Sequence, residues 1–324
     1  MNTTQAQLGA VLAAGGPELT AMLERTERRL AEVADAGGPA LAAHATGTLS
    51  AGGKRLRPIL VFLCADGDSD DRLVAAAAAV EMLHMATLVH DDVLDSAALR
   101  RGRPTVFAEG GRLAATATGD LLFSRAFAEL AAARSEEAVR ALSTASSALA
   151  RGELMQRADA WSPDVTPERY LERCRLKTAS LFDASCRLGA VFGGRPALAD
   201  ALGGFGERIG LAFQMLDDVL DVAGPAERTG KPRGADLLDG TVTLPLILAR
   251  RHDGDLLDLD PPLDTERAAE LCQRIAATGA LDRSRDEALA HVAEAKRSLE
   301  DMDLPVARRR ALKLVADGVV GRYA

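Results

Sequence analysis

Residues 88–95 read LVHDDVLD and residues 214–221 read QMLDDVLD, so the pentapeptide DDVLD stands twice in the chain, each time behind an apolar run. On a helix, Asp91 and Asp95 are four residues apart and share a face, and Asp217 and Asp221 do the same. Asp is a mediocre helix former, and like charges at that spacing repel. Two such clusters are costly unless something neutralises them. The apolar lead-in sets the acids at the mouth of a greasy cavity, a placement that a solvated helix face does not need.

The rest of the chain reads as helix. Hydrophobic residues make up 48% of the 324 but aromatics only 3%, so Ala and Leu, both strong helix formers, carry the apolar load. Helical periodicity dominates and alternating strand patterns are absent, which predicts an all-α protein. Helical segments are expected over 17–36, 40–50, 71–98, 112–133, 135–159, 166–192, 197–222, 241–251, 265–278, 282–301 and 305–320. Breakers stand between them: GGKRLRP (52–58), RRGRP (100–104), WSPDVTP (161–167), GGRP (193–196), GPAERTGKPRG (224–234) and HDGDLLDLDPP (252–262). The loops are short and no Ser/Gly linker divides the chain, so residues 1–324 read as a single domain, a large helical bundle.

A net charge of −8 argues against nucleic acid as a partner, because phosphate backbones want a basic face. It leaves phosphate ligands open, since a bound metal reverses the local sign. Cys64, Cys174, Cys186 and Cys272 lack metal-type spacing and read as reduced, buried residues of a cytosolic protein. No basic stretch followed by an apolar one opens the chain, so a secretory signal is not expected. The apolar stretch 73–89 is interrupted by Glu81 and His84 and reads as too short and too polar for a transmembrane segment. A soluble, cytoplasmic protein is the expectation.

Oxygen-only ligands suit hard cations, and Mg²⁺ is typically held by one or two carboxylates together with substrate phosphates. Two helices bearing one acidic cluster each can face one another and grip a diphosphate through several Mg²⁺ ions. Basic residues in short marked segments supply the other half: Lys54, Arg55 and Arg57 in GGKRLRP, Arg100 and Arg101 in ALRRGRPT, Lys177 beside Thr178 in RLKTASL, and Lys231 in GKPRGADL. His84, two turns before Asp91, fits either a phosphate contact or a packed core position. His90 either orients the acids or simply packs.

Taken in order, GGKRLRP, HDDVLD with LRRGRPT, GD at 119–120, KTA at 177–179, QMLDDVLD and GKPRGADLLDG–TLP resemble the trans-prenyl diphosphate synthase family over roughly residues 50–245. The resemblance implies an all-α isoprenoid synthase fold of roughly ten or more helices around a central apolar cavity, usually as a homodimer. It implies head-to-tail condensation of isopentenyl diphosphate with an allylic diphosphate. Carried over residue by residue, Asp91, Asp95 and Asp217 ligate Mg²⁺ on the allylic diphosphate, with Asp92, Asp218 and Asp221 in support. Arg100, Lys177 and Lys231 hold that same diphosphate, while Lys54, Arg57, His84 and Arg101 hold the one on isopentenyl diphosphate. Thr178 and Gln214 turn oxygen dipoles toward the developing allylic cation. One departure stands out: GTVTLP places Thr241 where the family commonly has a lysine, removing a cation expected over the allylic diphosphate.

In this family the floor of the pocket limits the product. The residues four and five before Asp91 are Thr87 and Ala86, both small, with Leu83 and Met82 one turn deeper and Phe123 or Phe127 a candidate for a deeper stop. A medium- or long-chain all-trans product is therefore expected, with geranylgeranyl diphosphate as the alternative. A terpene cyclase would need neither GGKRLRP nor a second DDxxD. A regulatory subunit of a heteromeric synthase would be expected to lose the acidic motifs, and both are complete.

Overall fold

Several helices begin on a short polar side chain that takes up an orphan backbone N–H. Asp70 accepts from Arg72, Thr105 from Ala108, Ser135 from Ala138, Thr166 from Arg169 and Asp264 from Arg267. The computed structural model describes residues 3–35, 44, 54–66, 70–100, 102–224, 233–256, 259 and 261–321. Apart from residue 44, the helix expected at 40–50 lies outside the described residues, as do Arg101 and Lys231.

In chain order the longer helices are α1 (Thr3–Asp35), α2 (Leu56–Cys64), α3 (Asp71–Leu94), α4 (Val106–Ala132), α5 (Glu136–Ala158), α6 (Pro167–Cys174) and α7 (Ser180–Phe192). They continue as α8 (Ala199–Ala223), the single turn α9 (Ala235–Leu238), α10 (Leu244–Arg250), α11 (Thr265–Ala277), α12 (Ala280–Ser298) and α13 (Val306–Gly321). The fold is all-α as expected. Among the described residues the extended pairing is one two-residue ladder, Leu99–Arg100 against Arg103–Pro104.

Among the elements that differ from the sequence reading, three have a clear local reason. The first helix begins at Thr3 rather than 17, and Gly16 (φ 79°) with Pro17 is a kink inside it, where only glycine takes that φ without strain. Helix α2 lies where a breaker followed by no element was expected. Its buried residues form one short, unbroken apolar run, Pro58–Cys64, which reads as strand or helix alike, and its Pro58 falls in the first turn, where no intrahelical donor is lost. The segment read as one helix at 166–192 is interrupted by a π-helical turn at Arg175–Ala179.

Helix α3 packs along α4, α7 along α8, and α8 along α12; α2 sits against α3 and α7, and α1 against α13 and α3. Residues Ala76, Ala77, Ala78 and Ala79 are fully buried, and their small side chains let neighbouring helices approach closely. By length and composition α3 is apolar enough to cross a membrane, contrary to the expectation for 73–89, but most of its apolar stretch is buried inside the fold. Its Glu81 is buried too, tied to Arg55 at 2.6 Å. All four cysteines are buried thiols, as expected.

Candidate active site

Both acidic motifs end their helices at the pole where a carboxylate is least welcome, since the macrodipole is negative at a C-terminus. On α3, Asp91 is partly buried, Asp92 is buried and Asp95 is the exposed C-cap, whose N–H donates to the Asp91 carbonyl at 2.8 Å. The two-residue ladder then turns the chain back, and Arg100 Nε donates to Asp92 Oδ1 at 2.7 Å. Burial pushes the Asp91 carboxyl up to about 6; Lys177 opposes this, Glu153 and Asp95 add to it, and Arg100 opposes it.

On α8, Asp217 and Asp221 are partly buried and Asp218 is fully buried. Asp218 accepts from the Tyr170 hydroxyl at 2.7 Å and from Gln214 Nε2 at 2.8 Å. Burial, then the nearby Asp236, push its carboxyl up to about 8 against these donors and Arg173. Asp221 anchors the following turn: its carbonyl accepts from Gly234 N–H at 3.0 Å and its Oδ2 from Asp236 N–H at 3.2 Å.

Between α5 and α8 runs the π-helical turn RLKTA, the segment that carries Lys177 and Thr178. A π turn adds a residue to the helix and re-aims its side chains, a device concentrated at functional sites. Gly152 on α5 makes the approach possible, because a Cβ there would meet the Lys177 backbone N at 2.6 Å. Lys177 Nζ stands 2.5 Å from Glu153 Oε2 and 3.2 Å from Gln156 Oε1. Thr178 Oγ1 donates to Gln214 Oε1 at 2.7 Å, so Thr178, Gln214, Asp218 and Tyr170 form one continuous chain of hydrogen bonds. The structure thus joins Asp91, Asp92, Asp95, Arg100 and Lys177 in one charged cluster, and Thr178, Gln214 and Asp218 in one hydrogen-bonded chain.

GGKRLRP divides its labour. Arg55 is spent on the fold, paired with Glu27 at 2.5 Å and the buried Glu81, whereas Lys54 is exposed and Arg57 lays its guanidinium over the Phe182 ring at 4.7 Å. His84 is partly buried on α3, its carbonyl taken by Thr87 Oγ1 at 2.7 Å. His90 turns to α4, with Nε2 3.3 Å from Asp120 Oδ1 and its ring against Gly119, where a Cβ would sit 2.3 Å from Nε2. That contact accounts for the GD pair at 119–120. Of the pocket candidates, Met82, Leu83 and Ala86 are buried on α3 and Thr87 partly so; Phe123 on α4 stacks obliquely on Phe127 at 5.3 Å.

Several site residues escaped the sequence reading: Glu153, Gln156 and Arg157 on α5, Tyr170 on α6, and Asp236 and Asp239 around α9. Glu153 and Arg157 look like an ordinary i, i+4 surface pair, and only the fold shows what stands opposite them.

The donor set fits a hard divalent cation. The carboxylates are oxygen-only, stand in i, i+4 pairs, and include Asp91, whose charged form burial disfavours. Among the described residues no three His, Cys, Asp or Glu side chains form a ready-made cage. Paired ligands suit Mg²⁺, which keeps waters and takes substrate phosphates into its shell.

The polyprenyl synthetase family model matches residues 39–269. The chain belongs to the polyprenyl synthetase family. It is therefore a prenyltransferase by descent, and its relatives agree. Component 2 of the heptaprenyl diphosphate synthase of Geobacillus stearothermophilus is 40% identical over 273 residues, 82% of this chain and 84% of that protein. The geranyl-diphosphate-specific all-trans-nonaprenyl-diphosphate synthase of Rhodobacter capsulatus is 38% identical over 260 residues, 78% of this chain and 80% of the other. A crystal structure of a Caulobacter crescentus polyprenyl synthase, complexed with calcium and isoprenyl diphosphate, superposes with a TM-score of 0.84 at 35% identity, covering 94% of this chain and 96% of that one.

Proposed function

We propose that this family member condenses isopentenyl diphosphate head-to-tail with an allylic diphosphate to give a medium- or long-chain all-trans polyprenyl diphosphate, as a single-domain, cytoplasmic homodimer using several Mg²⁺ ions per site. The observation that carries the reading is the convergence of the first acidic motif and the Lys177–Thr178 turn, with the second motif joined to that turn through Gln214. Asp91, Asp95, Asp217 and Asp221 would hold the metal ions. Bound Mg²⁺ would supply Lewis-acid neutralisation of the departing diphosphate. Lys177 and Arg100 would share that task, and Lys54 and Arg57 would hold the second diphosphate. Thr178 and Gln214 would present their dipoles from a part-buried network, and the apolar wall of Ala86, Leu83 and Met82 would keep water from the allylic cation. Medium or long products are favoured by the small residues at 86 and 87 and by the heptaprenyl and nonaprenyl relatives.

Incubating the purified protein with Mg²⁺, isopentenyl diphosphate and geranyl, farnesyl or geranylgeranyl diphosphate, then sizing the products by chromatography, tests this. Products beyond twenty carbons are expected. Accumulation of the twenty-carbon compound alone would instead identify a geranylgeranyl diphosphate synthase. The "component 2" in the Geobacillus relative's name favours a second reading, in which a separate subunit is needed. Turnover by the purified chain alone decides against it.

A further inference from the structure

Arg157, at the mouth of the site, is held by three carboxylates. Its Nη2 stands 2.5 Å from Asp95 Oδ1, its Nε 3.0 Å from Glu153 Oε1 and its Nη1 3.2 Å from Asp239 Oδ1. These carboxylates come from the end of α3, from α5 itself and from the turn after α9. Glu153 is shared with Lys177, so the two cations stand side by side on one carboxylate. Asp239 is shared with Thr241, whose Oγ1 donates to Oδ2 at 3.1 Å, which ties Arg157 to the position where the sequence lacks a lysine.

We propose that Arg157 is a further diphosphate-binding residue of the allylic site, parked on Asp95, Glu153 and Asp239 until metal ions occupy Asp95 and then transferred to the substrate's diphosphate. The inference rests on the function proposed above. Three physical points carry it. An ion drawn to Asp95 removes one of the arginine's three partners and repels the guanidinium from that spot. The Asp239 pair is partly exposed, where ion pairs contribute little, and Glu153 keeps Lys177 as a partner, so exchanging the two is cheap. A guanidinium fork accepts phosphate oxygens in the same bidentate geometry as carboxylate oxygens, so Asp95 and Asp239 occupy the places that a diphosphate would fill. A permanent strut would instead be expected to stand on partners that no ligand competes for.

The test is calorimetric titration of the full-length protein with inorganic pyrophosphate in saturating Mg²⁺, alongside the KM for farnesyl diphosphate. Arg157→Gln should weaken pyrophosphate binding by about tenfold or more, as expected for loss of a charge-assisted pair. Arg157→Lys should lose less. Thr241→Lys in the Arg157→Gln background should recover most of the affinity, since it returns a cation to the same Asp239. Asp239→Asn, which leaves Arg157 in place but loosens its tether, should bind pyrophosphate more tightly than wild type and guards against a folding defect in the arginine variants. Arg157→Gln protein that melts normally and binds within twofold of wild type overturns the proposal, as does weaker binding by Asp239→Asn. Wild-type protein that binds no Mg²⁺–pyrophosphate overturns the parent function as well, which separates the two failures.

Discussion

The Tyr170 hydroxyl donates to Asp218 Oδ2 at 2.7 Å with both side chains buried, and this bond closes the chain that begins at Thr178. Burial drives the tyrosine's own pKa well above its ordinary value, so it remains a donor throughout the working pH range. Tyr170→Phe removes the donor and leaves a buried carboxyl oxygen without it, at a cost of about 1–3 kcal/mol. Urea unfolding should show that loss, and turnover should fall as Gln214 and Thr178 lose their fixed orientation. Unchanged stability and turnover would mean that the network orients nothing.

Asp91→Ala and Asp217→Ala are each expected to reduce turnover by at least about a hundredfold, because metal-ion stabilisation of a leaving group contributes several kcal/mol. The fold should survive, and in metal-free buffer Asp91→Ala should melt no lower than wild type, since it removes a carboxylate that burial disfavours. Circular dichroism and initial rates check both points; near-normal rates in either variant reject the metal assignment.

Ala86 is fully buried on α3, one turn behind Asp91. Ala86→Phe should shift the product distribution to shorter chains, with an overpacking cost of about 1–3 kcal/mol. Chromatography of the products is the readout. An unchanged distribution in a folded variant would show that this position does not face the growing chain.

His291 on α12 supplies a pH dependence remote from the acids. Burial lowers its pKa, with Arg208 and Arg175 acting in the same direction and Glu287 and Glu294 opposing. The unfolded chain therefore binds this proton more readily than the folded one. Stability should fall as pH drops through about 6.5, and the loss should level off below the folded-state pKa. His291→Gln should remove that component, so the variant's stability relative to wild type rises between pH 7.5 and pH 5. Urea midpoints at the two values that move in parallel would refute it.

The helices were legible because Ala, Leu and their spacing act locally, and the acidic pairs because an i, i+4 repulsion is visible in any helix. Helix α2 was not, because a short unbroken apolar run such as Pro58–Cys64 reads as strand or helix alike. The π turn at Arg175–Ala179 was hidden for a different reason: its composition is ordinary helix, and contact with α5 at Gly152 accompanies the extra residue.

The sequence by itself determined an all-α chain of the polyprenyl synthetase family and the residues that carry its charge: Asp91, Asp95, Asp217, Asp221, Lys177 and the GGKRLRP cations. Tertiary structure decided how each charge is employed. Asp92 and Asp218 are buried on Arg100 and Tyr170, Arg55 is given over to Glu27 and Glu81, and Arg157, unremarkable in sequence, stands among three carboxylates from separate parts of the chain. The physical reason is that a charge's role depends on burial and on the nearest opposite charge. Both are set by segments far away in sequence, and they come together only when the helices pack.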